Sequence, residues 1–344
     1  MDADICLPAR SALPLLGYAV VVRRTYPYTS SSQRTRQIET FDLHRPDLHE
    51  YLSGPIAIPT TPHALTGAQL PVTLGQEFSG TIEEVGQAVT GLKVGDRVAV
   101  RPNLSDGRCA SCAEDRTLTY SVLISNSGGL SDYVAVPAKH AIWLSESVPL
   151  DLGALVEPLT VAWYAVARSP HETARNALVV GGGPIGLAVV QIPRARGVQT
   201  VIVAEVSAQR REYALTLGAT HVFNPLADDV VARVRSLTGD AGADISFECS
   251  GVQARFDTAM NGIRVRGMTT IVSLWEKKPV IDAFDVDSYE KHVLGAAICE
   301  DWDFEAVIGA IEEGQLEPPS HDYQQDPDGG RRGKGLQGAR RREG

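Results

Sequence analysis

The sequence predicts an α/β protein in two parts, a strand-rich unit followed by a doubly wound parallel sheet. Three observations predict it. Residues 70–137 hold alternating apolar and polar segments cut by Gly86, Gly91, Gly95 and Gly107, the pattern of short half-buried strands. After Asp151 the pattern changes to short, β-branched apolar runs separated by helix-period segments, which alternates β with α. A chain of 344 residues also exceeds what one ordinary core holds.

In chain order, Gly80–Val85 and Asp96–Val100 read as strands of the first unit. Ala177–Val180, Thr200–Ala204, His221–Phe223, Asp244–Phe247, Met268–Leu274 and Val293–Ile298 read as strands of the second. Pro193 falls inside the helix that begins near Ile185, so that helix is expected to kink or end near Ile192. The two ends read differently from the rest. Cys6 to Ile38 contains no acid and carries Arg10, Arg23, Arg24, Arg34 and Arg36, which reads either as an ill-ordered start or as an organelle transit peptide. Beyond Gln315 the apolar period disappears and the composition predicts disorder.

Composition narrows the function classes. With 43% apolar and 22% charged residues, and no apolar run near the roughly 18 residues that span a bilayer, an integral membrane protein is not expected. A net charge of −10 argues against a general nucleic-acid binder, although Arg331 to Gly344 alone holds six basic residues. Five cysteines, of which only Cys109 and Cys112 are close in sequence, fit a reducing compartment better than a disulfide framework. The expected location is cytoplasmic.

The clearest motif is Gly181-Gly182-Gly183-Pro184-Ile185-Gly186, which follows a strand, opens a helix, and precedes a second strand ending at Glu205. Glycines there permit a tight turn and close backbone approach, and the free N–H groups at the helix start hold a pyrophosphate. Glu205 is placed to accept ribose hydroxyls and to repel a 2′-phosphate, which favours NAD over NADP. Arg210, five residues on, either flanks the adenosine or is a solvated charge.

Thr73-Leu-Gly75-Gln76-Glu77-Phe-Ser-Gly80, Gly91-Leu-Lys-Val-Gly95-Asp96-Arg97-Val98, Val156-Glu157-Pro158 and the glycine-rich turn follow one another in register. Together they resemble the medium-chain zinc-dependent alcohol dehydrogenase superfamily. Asp47-Leu-His49-Glu50-Tyr51, Gly251-Val-Gln253 and Trp275-Glu276-Lys277 look closest to its polyol and 2,3-butanediol dehydrogenase branch. The resemblance covers about residues 47–316. It implies a GroES-like domain at 39–150 and a Rossmann NAD-binding domain at 151–316, flanked by an atypical segment at 1–38 and a basic tail at 317–344. It also implies a small alcohol or diol substrate and a homo-oligomer, while charge and hydropathy leave no nucleic-acid or membrane partner expected.

The family's catalytic zinc has a Cys, a His and a Glu ligand, which carry over to His44, Gln76 and Glu157. Only Glu157 stands as the resemblance expects. Asp47 and Glu77, which would orient the metal shell, and His49, which would end a proton relay, are in place, whereas the hydroxyl position of the relay is Pro46. A Gln amide is a poor zinc donor, and loss of the thiolate removes a compensating charge. Each residue also has a plainer reading: His44 as a surface group, Gln76 as a hydrogen-bonding side chain, Glu157 as a buried acid with a partner. Arg45 either touches pyrophosphate or is a loop charge. Cys109 and Cys112 begin the family's structural zinc lobe, but two thiols cannot close a tetrahedral site. The expected activity is NAD-dependent oxidation of a secondary alcohol or vicinal diol such as 2,3-butanediol. The alternatives are an NAD(H)-binding relative without turnover and a zinc-free reductase of the same superfamily.

Overall fold

The computed structural model describes residues 19–24, 54, 58, 60–62, 69–103 and 128–316. The positions of His44, Asp47, His49, Cys109 and Cys112, and the basic tail, lie outside the described residues.

The first unit is a five-stranded antiparallel sheet of β1 (Ala19–Arg24), β2 (Ser79–Val85), β3 (Arg97–Val100), β4 (Tyr133–Pro137) and β5 (Ala141–Trp143). Their order is β4-β1-β2-β3-β5. Period-two alternation points Val20, Val22, Ile82, Val98 and Val134 into one apolar cluster. Strand β1 corrects the sequence reading, because it lies within the stretch set apart at 1–38 and yet pairs with both β2 and β4. Its arginines hid it. Arg23 forms an ion pair with Glu83 at 2.8 Å, and the Arg24 guanidinium is buried against the Gly129 carbonyl.

The second unit holds six parallel strands: β6 (Asn176–Val180), β7 (Thr200–Ala204), β8 (His221–Phe223), β9 (Ala243–Glu248), β10 (Ile263–Ile271) and β11 (His292–Gly295). The order β8-β7-β6-β9-β10-β11 reverses between β6 and β9, as a doubly wound fold requires. Apolar runs without alternation mean that both faces are covered. Ala177, Val179, Val201 and Val203 pack on one side, and Leu178, Val180, Ile202 and Ala204 on the other. Helices α1 (Leu150–Gly153) and α2 (Val156–Ala167) precede β6, α3 (Pro184–Ala195) follows it, and α4 (Ala208–Thr216) and α5 (Val230–Leu237) flank β8. Helix α6 (Gln253–Gly262) precedes β10, α7 (Ala283–Ser288) precedes β11, and α8 (Asp301–Glu312) returns against α2.

Three expectations shift, and in the first of them β11 ends at Gly295, three residues before Ile298. Strand β10 begins five residues earlier than expected and ends at Ile271, because Val272 and Ser273 turn to donate their backbone N–H groups to the Glu248 carbonyl. Helix α3 passes Pro193 and ends at Ala195. Pro193 stands only two residues before that end, and buried Leu187 to Ile192 hold the preceding turns. The Arg196 and Val198 N–H groups still find the Ile192 and Pro193 carbonyls, at 3.0 and 2.9 Å. Among the described residues no helix is long and apolar enough to cross a membrane.

A strap joins the two units. The Arg101 guanidinium, buried at the end of β3, meets the Asp301 carboxylate at 3.2 Å and the Asp301 carbonyl at 3.3 Å, at the start of α8. Beside it His140 is buried, with Nδ1 3.1 Å from the Arg101 carbonyl. Burial first, then the charges of Arg101 and Lys139, pushes the His140 pKa from 6.5 down to about 4. Because the folded state resists the proton, this contribution is whole above the unfolded pKa and is lost as pH falls toward 4. The loss is up to about 3 kcal/mol. His140→Phe is expected to flatten that part of the decline; denaturant midpoints of both proteins at pH 7 and pH 4.5 check it, and parallel curves would exclude His140 as a source.

Candidate functional site

The glycine-rich turn sits at the carboxyl end of β6, beside the reversal in strand order where such folds bind ligands. Each glycine has a separate reason. Gly181 adopts φ +102°, a left-handed backbone that a side chain resists. A β-carbon on Gly183 would have nothing within 4 Å, so its face is open to an approaching group. A β-carbon on Gly186 would stand 1.8 Å from the Gly181 carbonyl oxygen, so helix and turn touch backbone to backbone. Pro184 occupies the first helical turn, where its missing N–H costs nothing and its φ suits the helix; Ile185 packs against the core.

Glu205 lies at the end of β7, buried, with Oε2 accepting from Gly182 N–H at 2.6 Å and Oε1 from Ser207 N–H at 2.8 Å. The acid is therefore aimed before any ligand arrives. Arg210 stands in the first turn of α4, its N–H donating to the Ser207 hydroxyl at 3.4 Å. The residue that sequence reasoning missed is its neighbour. Arg211 donates to the Glu205 and Val206 carbonyls at 2.8 and 2.7 Å and so locks the chain after β7. The residues present fit a dinucleotide: a turn with open backbone, a helix start for the pyrophosphate, and a preset carboxylate for a ribose.

The second cluster lies where the antiparallel unit meets α2 and α8. Gln76 and Glu157, 81 residues apart, are both buried and joined by a hydrogen bond in which Gln76 Nε2 donates to Glu157 Oε1 at 3.5 Å. Glu77 adjoins them in sequence and is described, while His44, Asp47 and His49 are not. Cys299 also belongs here. Asn103 Nδ2 lies 3.3 Å from its sulfur, and burial first, then the Glu157 and Asp303 carboxylates, pushes its thiol well up.

The described donors, Gln76 and Glu157, do not by themselves make a zinc site. Gln76 brings a neutral amide whose N–H is turned toward the only carboxylate expected as a ligand, and zinc prefers imidazole, thiolate and carboxylate. Among the described residues no three His, Cys, Asp or Glu side chains are grouped to hold a metal ion.

Two family models match the chain: an alcohol dehydrogenase GroES-like domain over residues 37–146, and a zinc-binding dehydrogenase domain over residues 184–313. The chain is 40% identical to (R,R)-butanediol dehydrogenase of Bacillus subtilis over 270 residues, 78% of each chain. It is 36% identical to the (R,R)-butanediol dehydrogenase of Saccharomyces cerevisiae over 295 residues, covering 78% of this chain and 77% of that one. The crystal structure of 2R,3R-butanediol dehydrogenase from Bacillus subtilis superposes with a TM-score of 0.74 at 36% identity, over 87% of this chain and 82% of that chain. A putative zinc-binding dehydrogenase from Sinorhizobium meliloti, solved bound to NADP, superposes with a TM-score of 0.72 at 28% identity, over 88% and 83%. With sheet order, glycine turn and two-domain layout in agreement, the chain belongs to the zinc-binding, medium-chain alcohol dehydrogenase family, in its butanediol and polyol dehydrogenase-like branch.

Proposed function

We propose that this protein is an NAD-dependent oxidoreductase that interconverts a secondary alcohol or vicinal diol, such as 2,3-butanediol, and the matching ketone. One observation carries the cofactor half of this reading: the Glu205 carboxylate, held by Gly182 and Ser207 N–H beside the turn. A carboxylate so fixed accepts ribose hydroxyls and repels a 2′-phosphate, which supports NAD in this chain even though a structural relative was solved with NADP. The substrate half rests on the relatives named butanediol dehydrogenases.

When bound, the nicotinamide would supply the hydride acceptor for the alcohol carbon, with the hydroxyl proton leaving to solvent. The chain's own contribution is placement. The start of α3 neutralises pyrophosphate charge, Gly183 permits close approach, and Arg211 and Glu205 hold the ribose end. The Gln76–Glu157 pair offers a buried amide and carboxylate at the boundary between the two units.

Production of NADH from (2R,3R)-butanediol by full-length protein, with NADP much weaker, is the expected result. After dialysis against a chelator the protein is expected to retain well below one zinc per chain by elemental analysis, because Gln76 and Glu157 offer neither imidazole nor thiolate. Stoichiometric zinc, or activity abolished by the chelator, would show that side chains beyond the described residues complete a metal site. The same Gln76–Glu157 hydrogen bond favours a second reading, an NAD(H)-binding protein without turnover. Tight NAD binding with no NADH from any secondary alcohol or diol would select it.

A further inference from the structure

Glu248, the last residue of β9, is fully buried, and its carboxylate serves neither the glycine-rich turn nor the Gln76–Glu157 pair. A carboxylate in that position costs several kcal/mol unless hydrogen bonds replace its water. Here four donors do so. Oε1 accepts from Ser250 N–H at 2.8 Å, Gly251 N–H at 3.0 Å and the Ser250 hydroxyl at 2.6 Å, and Oε2 accepts from the Ser273 hydroxyl. The donors come from two different turns, the one after β9 and the one after β10. A β-carbon on Gly251 would stand 2.4 Å from the Leu274 carbonyl oxygen, so the two turns are in backbone contact as well.

The joined turns border the glycine cradle. Cys249 N–H donates to the Val180 carbonyl at 2.9 Å, and a β-carbon on Gly181 would stand 3.2 Å from both the Cys249 carbonyl carbon and the Ser250 β-carbon. A doubly wound sheet takes a dinucleotide across the carboxyl ends of its strands, one mononucleotide on each side of the reversal. The cradle and Glu205 occupy the β6–β7 side. The β9 and β10 turns face the other half. The thiol between them stays protonated, raised by burial first and by the Glu248 charge second, so Cys249 is a neutral wall group.

We propose that Glu248 is the positioning residue for the nicotinamide half of the cofactor, because its carboxylate welds the turns after β9 and β10 into the wall against which that half seats. This rests on the dinucleotide reading above. It is separable from that reading, because ADP-ribose carries the adenosine half and the pyrophosphate but no nicotinamide.

The test compares NAD and ADP-ribose binding by calorimetry to full-length wild type, Glu248→Gln and Ser273→Ala. Glu248→Gln turns an NH2 toward N–H and O–H donors, whereas Ser273→Ala removes one donor and leaves the acid three. Both variants are expected to bind NAD about 10-fold more weakly, with ADP-ribose affinity within about twofold of wild type. A residue that merely supported the fold would weaken both ligands together. Parallel losses, or no loss of NAD affinity in the folded Ser273→Ala protein, would overturn the proposal. If Glu248→Gln does not fold, Ser273→Ala alone decides. A wild type that binds neither ligand would overturn the dinucleotide reading and this proposal with it; a wild type that binds both without the split in the variants would overturn this proposal alone.

Discussion

Replacing Gly186 with alanine is expected to reduce NAD affinity by about 100-fold or more and to lower the free energy of unfolding by about 3 kcal/mol. The added carbon would sit 1.8 Å from the Gly181 oxygen and 2.9 Å from its carbonyl carbon, so the first turn of α3 must lift from β6. The obstacle is backbone and cannot rotate away. Gly183→Ala supplies the contrast. Its φ of −69° suits alanine and no protein atom lies within 4 Å of the new carbon, so its stability is expected to match wild type. Its NAD affinity is nevertheless expected to fall, because the carbon enters the space through which a pyrophosphate approaches. Denaturant unfolding and NAD titration of both variants separate steric failure of the fold from blockage of the site. Equal stability of Gly186→Ala and wild type would contradict the geometry.

The second large effect concerns cofactor choice. Glu205→Gln is expected to shrink the preference for NAD over NADP by about 1,000-fold, since like charges about 4 Å apart repel by about 4 kcal/mol at an effective dielectric near 20. The amide oxygen still accepts from one of the two N–H groups that Glu205 now serves. Glu205→Ala is expected to behave differently, removing the carboxylate that accepts from Gly182 and Ser207 N–H at about 1 kcal/mol or more for each bond and weakening NAD itself. The ratio of kcat/KM with the two cofactors, measured for all three proteins, checks this. An unchanged ratio in Glu205→Gln would remove Glu205 from the ribose site.

Much of the candidate cofactor site was legible because its physics is local. Six residues from Gly181 to Gly186 contain the turn, the open face and the helix start, and the acid at Glu205 is reached by one helix and one strand. The short β-branched runs were legible for a related reason, since a strand buried on both faces must be apolar throughout. Strand β1 was not. Its partners lie at 79–85 and 133–137, and Arg23 and Arg24 make its sequence look solvent-bound until Glu83 and the Gly129 carbonyl are seen to receive them. Pro193 was misread for want of one fact, that α3 ends two residues later.

Sequence alone determined the fold class, the glycine-rich turn and the acid beside it, because each depends on neighbours within one supersecondary unit. Only the tertiary structure could show that Gln76 turns its amide to Glu157, that Arg101 straps β3 to α8, and that Glu248 joins the turns after β9 and β10. Those contacts link residues dozens to hundreds of positions apart or from separate turns. A side chain's hydrogen-bond partner across such distances is set by how the layers pack, which no local pattern of residues records.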